Sequence, residues 1–99
     1  MAAYTVNTAK HAVLTPSTVD TVTFNNPCSF LILTNRTTNG DPIFFTFGDP
    51  TKGIPDPTVN GDDCYVVAIG MTLSIPGDGT APILKLISNG AQNYSAMVI

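Results

Sequence analysis

Gly48 to Asp63 reads GDPTKGIPDPTVNGDD, sixteen residues holding four aspartates, three prolines and three glycines. The runs on either side are built like strands, PIFFTF before it and CYVVAI after it. A connection of this length exceeds the usual one several-fold, and such loops tend to have a job. Aspartates and backbone carbonyls can offer the hard oxygens that calcium prefers, yet the EF-hand spacing is missing. Turn aspartates ordinarily bond their own backbone amides instead. Pro50, Pro55 and Pro57 restrict the backbone and lower the entropy lost on ordering it. The reading is a stiff contact loop without a metal, its contact residues being Asp49, Pro50, Ile54, Pro55, Pro57, Asp62 and Asp63.

Outward from this loop the chain alternates with period two, as half-buried strands do. Ile43, Phe45 and Phe47 share one face, with Phe44 and Thr46 on the other. On the far side, Cys64, Val66 and Ala68 alternate with Tyr65, Val67 and Ile69. Val19 to Phe24, Cys28 to Asn35, Met71 to Ile75, Ile83 to Ser88 and Tyr94 to Ile99 complete the set. Asn39-Gly40 predicts a tight hairpin joining the Cys28 and Ile43 strands. Pro76-Gly77-Asp78-Gly79 and Asn89-Gly90 predict two further turns. Tyr4 to Leu14 is more polar, and residues 1–15 read as an edge strand or an extended N-terminal arm.

Composition points the same way. There is no Glu and no Trp among the 99 residues, while Thr, Val and Ile are abundant. These crowd the backbone at Cβ and favour strands, and the straight-chain residues of a surface helix are scarce. The prediction is all-β: one domain spanning residues 1–99, a small β-sandwich or jelly-roll-like fold of seven or eight short, mainly antiparallel strands.

Charge narrows the function classes. Four basic residues against seven acidic ones, a net charge of −3, give little with which to track phosphates. No apolar run reaches the length of a membrane span, and MAAYTVNTAK lacks the basic and apolar regions of a signal peptide. The expectation is no nucleic acid, no membrane and synthesis in the cytoplasm. Chemistry is poorly supported as well. His11 is the single histidine, no GxSxG elbow or phosphate-cradling glycine loop is present, and the acids sit almost entirely beside Gly or Pro in wet turns. The reading is no enzyme and no cofactor. Cys28 and Cys64 read as interior thiols, with a bridge between facing strands left open.

What remains is contact. The Cys28–Leu33 and Cys64–Ile69 segments are apolar on both faces, whereas a two-layer fold covers one side of each sheet. Leu31, Leu33, Phe44, Tyr65, Val67 and Ile69 form the expected outward interaction surface, unless loops such as the acidic one fold back over it. The apolar tail Met97, Val98 and Ile99 is read as anchored in this sheet or in a neighbour's.

Three stretches, PIFFTFGDP, DPTVNGDDCYVV and LKLISNGAQNYSAMVI, carry a resemblance. It rests on Phe45–Thr46, Pro57–Asp63, Tyr65–Val66, Lys85–Gly90 and Tyr94–Ser95, within residues 28–99. The chain resembles small β-rich virion structural proteins of actinobacterial tailed phages, of the capsid decoration or minor capsid type. That resemblance implies a cement protein on the outer capsid surface, with major capsid protein subunits and further copies of itself, in a trimer for instance, as partners. A tail or head–tail connector component is the first alternative. A host-glycan-binding module using Tyr4, Tyr65 or Tyr94 is the second, and the missing tryptophans count against it.

Overall fold

The computed structural model describes residues 2–99. The alternating runs form nine strands: β1 (Ala3–Val6), β2 (Ala9–Val13), β3 (Asp20–Phe24), β4 (Phe30–Asn35), β5 (Ile43–Gly48), β6 (Tyr65–Val67), β7 (Thr72–Pro76), β8 (Ile83–Ile87) and β9 (Asn93–Val98). A single 3-10 turn, Pro50–Lys52, is the only helical element among the described residues. The Tyr4–Leu14 segment, expected as one strand, breaks at Asn7-Thr8 into β1 and β2, which edge different sheets.

The strand pairs nest about the opening loop. β5 pairs with β6, β4 with β7, β3 with β8 and β2 with β9, all antiparallel. The chain is thus one long hairpin whose bend is the Gly48–Asp63 stretch. Rolling this hairpin lets β8 also pair with β5, and β9 with β4. Two sheets result, ordered β1-β3-β8-β5-β6 and β2-β9-β4-β7. Leaving aside β1, this is the arrangement of an eight-stranded jelly roll. β1 lies outside it and runs parallel to β3, with Ala3 opposite Thr21.

The hairpin expected at Asn39-Gly40 does not form, because β4 and β5 belong to opposite sheets. Turn residues signal that a chain changes direction, and here it crosses the end of the sandwich. The crossing is held by buried polar side chains instead of a strand ladder. Asn35 donates to the Asp41 carbonyl at 3.2 Å and accepts from the Thr37 N–H at 3.3 Å. Ser88 donates to the Pro42 carbonyl at 2.9 Å. Gln92, with its amide turned to match, exchanges two bonds with the Asp41 backbone at 3.2 and 3.3 Å. Gly40 has φ +109°, and a Cβ there would come within 2.5 Å of the end of the Gln92 side-chain amide. A residue with no side chain suits that position for both reasons.

The core lies between the sheets. Val22, Phe24, Phe45, Leu84 and Leu86 from the first face Leu31, Leu33, Tyr94, Ala96 and Val98 from the second. Several expected surface residues are found here. Leu31, Leu33 and Val67 are buried in the core, so they cannot form an outward surface. Both parities of β4 are apolar, and the cross-strand partners chose: Leu31 pairs Val98 and Leu33 pairs Ala96, which share its inward face. Their alternates Phe30 and Ile32 turn outward. Phe44 does point away from the core, yet it too is largely covered.

Candidate functional site

Phe44 is covered by the long loop. Asp49 Oδ1 accepts from Thr51 N–H at 3.0 Å and from its hydroxyl at 2.9 Å, nucleating the 3-10 turn. Gly53, left-handed at φ +66°, then sends the chain back across the outer face of the first sheet. Thr46 on β5 donates to the Pro55 carbonyl at 2.6 Å. Lys85 on β8 donates to the Ile54 carbonyl at 2.8 Å and pairs with Asp56 at 3.0 Å. Pro57 is buried, and Val59 joins Phe44, Asp41, Pro42, Asn60 and Asn89 around a shallow space of about 90 Å³. The loop is a strap. Of its expected contact residues, Pro50, Pro55, Asp62 and Asp63 remain exposed, Asp49 and Ile54 are half-buried, and Pro57 is turned inward. Among the described residues no three metal-ligating side chains converge.

The second sheet's outer face has no such cover. Register places Met97 between Ala9 and Ile32, with Ser74 beyond. One row further, Phe30 lies opposite Pro76. Phe30 and Ile99 exchange backbone bonds at 3.1 and 3.0 Å, which continues the ladder to the last residue. Phe30, Met97 and Ile99 are 43%, 39% and 62% exposed, and Ile32 is half-buried. A polar belt bounds this apolar end: Thr34 bonds Thr72 at 2.8 Å, and His11 Nδ1 bonds Ser95 at 2.7 Å. Of the three terminal residues, Val98 is in the core, while Met97 and Ile99 face water.

A second feature lies at one end of the sandwich. A half-open cavity of about 230 Å³ is lined by Cys28, Phe47, Tyr65, Pro76, Asp78 and Pro82, among others. Tyr65 sits on the edge strand β6, stacked on Phe45 with centroids 5.3 Å apart, and remains half exposed. Asp78 accepts from the hydroxyl and amide of Thr80, and these bonds hold its carboxyl below the usual range. Burial, and next Asp78, push the Cys28 thiol up. Cys28 and Cys64 are both free, and Cys64 is half-buried.

The expected interaction set is therefore dispersed. Tyr65 and Ile69 are exposed, Phe44 lies under the strap, and Leu31, Leu33 and Val67 are core. Of the tyrosines named for sugar stacking, Tyr94 is buried and Tyr4 lies beneath Lys10, whose Nζ is 4.0 Å from the ring centroid. Phe30, Ile32, Val66 and Pro76 were missed. For Phe30, Ile32 and Val66 the signal was present, since each is the opposite-parity neighbour of a residue that was named; Pro76, which lies across from Phe30, had no such signal. No helix among the described residues is long and apolar enough to cross a membrane. Compared with known protein families, curated proteins and solved structures, the chain matches none.

Proposed function

We propose that this chain is a non-enzymatic structural protein of a phage virion. It acts as a decoration protein that seats the outer face of the β2-β9-β4-β7 sheet on major capsid protein subunits and stabilises the shell. The observation that carries the reading is the apolar end of that face, Phe30, Ile32, Met97 and Ile99, bounded by a polar belt. An apolar patch rimmed by hydroxyls is the composition of a protein contact, not of a surface kept for water. Jelly rolls recur in viral capsid domains, which adds an argument by analogy alone. A protein bound only to the assembled shell shifts that state by mass action.

The test is copy number in purified particles, measured by quantitative mass spectrometry, combined with binding of Ile32→Asp to shells lacking the protein. Hundreds of copies, lost with Ile32→Asp, support decoration. A copy number of a single ring assigns the chain to a tail or connector, and absence from particles defeats the virion reading. Light scattering on the isolated chain tests association with itself, a trimer included. The glycan-binding reading is favoured by one observation, the half-exposed Tyr65 ring beside the Asp78 and Thr80 oxygens at the cavity. Glycan-array binding lost in Tyr65→Ala would replace decoration with that function.

A further inference from the structure

β7 is an edge of the second sheet, with β4 as its one strand neighbour. Along an antiparallel edge strand, alternate residues aim their backbone groups at the neighbour and away from it. Two bonds fix the phase here: Asn35 N–H donates to the Met71 carbonyl at 3.0 Å, and Gly77 N–H to the Ser29 carbonyl at 2.7 Å. Leu33 lies opposite Leu73 and Leu31 opposite Ile75, so residues 71, 73, 75 and 77 face β4. Thr72, Ser74 and Pro76 then present their backbone groups outward. Among the described residues no backbone group pairs with that side, and all three residues are exposed. Pro76 sits where its missing N–H breaks no ladder bond.

Exposed edges are templates for further strands, and chains usually blunt them with charges or keep them short. The other edge of this sheet, β2, carries Lys10 and His11, and β6, an edge of the first sheet, has three residues. β7 reads TLSIP, five residues without a charge. The link that enters it from β6 leaves Ile69 39% and Met71 56% exposed. Leu73 and Ile75 turn towards the core from this edge and are only half-buried.

We propose that β7 pairs antiparallel with β7 of a second copy, about a twofold axis through Ser74. This register overlaps the whole strand with itself. Ser74 exchanges two backbone bonds with the partner's Ser74. Each Thr72 N–H donates to the partner's Pro76 carbonyl. The four bonds use every outward N–H of Thr72–Pro76. Leu73 meets the partner's Ile75 on the inward side, where each covers apolar surface that its own sheet leaves open. Such a contact is self-complementary and closes at two copies. The two second sheets become one of eight strands, and because the axis stands perpendicular to it, both open faces look the same way. The pairing goes beyond the virion reading and does not rest on it, since the isolated chain suffices to test it.

Sedimentation of the purified chain over a range of concentrations should show a monomer–dimer equilibrium. Ser74→Pro removes an outward N–H and no ladder bond, so the monomer should stay folded while dimerisation weakens about tenfold or more. In a Cys64→Ser background, Ser74→Cys should oxidise to a linked dimer, since hydrogen-bonded cross-strand residues lie about 5.5 Å apart. Thr72→Cys, displaced by about 13 Å along the strand from its own copy, should not. Amide exchange at Thr72 and Ser74 should slow as the dimer forms. A chain that stays monomeric at every soluble concentration overturns the proposal. So does a dimer that Ser74→Pro leaves as tight as before, or exchange at those two amides that is equally fast in monomer and dimer. If Ser74→Pro fails to fold, Ser74→Lys, which sets like charges opposite each other, takes its place with the same expectation.

Discussion

Phe44 and Ile87, on the outer face of the β1-β3-β8-β5-β6 sheet, are each 9% exposed, whereas Phe30 and Met97, on the outer face of the other sheet, are 43% and 39% exposed. The side chains are comparable, and the difference is the strap. The nested hairpin has one bend, and the residues of that bend lie back over the sheet that contains β5 and β6, the two strands it joins. The second sheet receives only short crossings at its ends. A jelly roll of this length has two outer faces and one long loop, so its own chain can close one of them. The open face is the one that the chain does not cover itself, and it is the face proposed above as the contact.

The sharpest test of this contrast sits within a single strand. Leu33→Ala should destabilise the fold by about 2–5 kcal/mol, since it empties a core position. Ile32→Thr, one residue away, should stay within about 1 kcal/mol. Equal losses in denaturant melts would mean that the inward and outward parities of β4 are wrongly assigned. The C-terminal strand offers the same comparison: Val98→Ala is expected to cost about 1–3 kcal/mol, and Ile99→Ser a few tenths.

Releasing the strap comes next in size. Lys85→Met removes the bond to the Ile54 carbonyl and the pair with Asp56, for a loss of about 1–2 kcal/mol. Most of this belongs to the carbonyl bond, since Asp56 is largely exposed and its ion pair is screened. Limited proteolysis should then cut faster between residues 49 and 63. Cleavage unchanged from the parent would show that the loop is held by its prolines and apolar contacts alone.

Smallest in the isolated chain is Met97→Ser, expected to shift stability by less than about 0.5 kcal/mol. Its effect should appear on binding to particles or on self-association, measured by sedimentation. A variant that binds and sediments like the parent would remove the open face from the contact.

Acid and base probe the buried carboxyl at the seam between the sheets. Burial raises the Asp20 carboxyl, against the opposing pull of the Ala2 amide and Tyr94 hydroxyl. The folded state then holds its proton more tightly than the unfolded chain. That contribution is full below the unfolded value of 3.8 and is lost as pH rises through the folded value. Stability should therefore fall as pH rises from 3 to 7, and Asp20→Asn, compared with the parent in melts across that range, should flatten the slope.

Much of this molecule was legible in its residues. Alternation with Thr, Val and Ile marked nearly all the strands, and Pro with Gly marked where the chain turned. The loop from Gly48 to Asp63 was identified as stiff and exceptional, and it is the bend about which every antiparallel strand pair nests. Two things were hidden. In β4 and β6 both parities are apolar, so period two alone could not say whether Leu31 or Phe30 faces inward. Cross-strand partners in β9 and β5, distant in sequence, settled that. The turn at Asn39-Gly40 announced a reversal but not its destination, because Gln92 and Ser88, which receive it, lie some fifty residues later. Local sequence determined the elements, since backbone sterics and turn chemistry act between neighbours. Sheet membership, inward parity and the choice of a covered face belonged to tertiary structure, because each depends on which remote surface completes the burial.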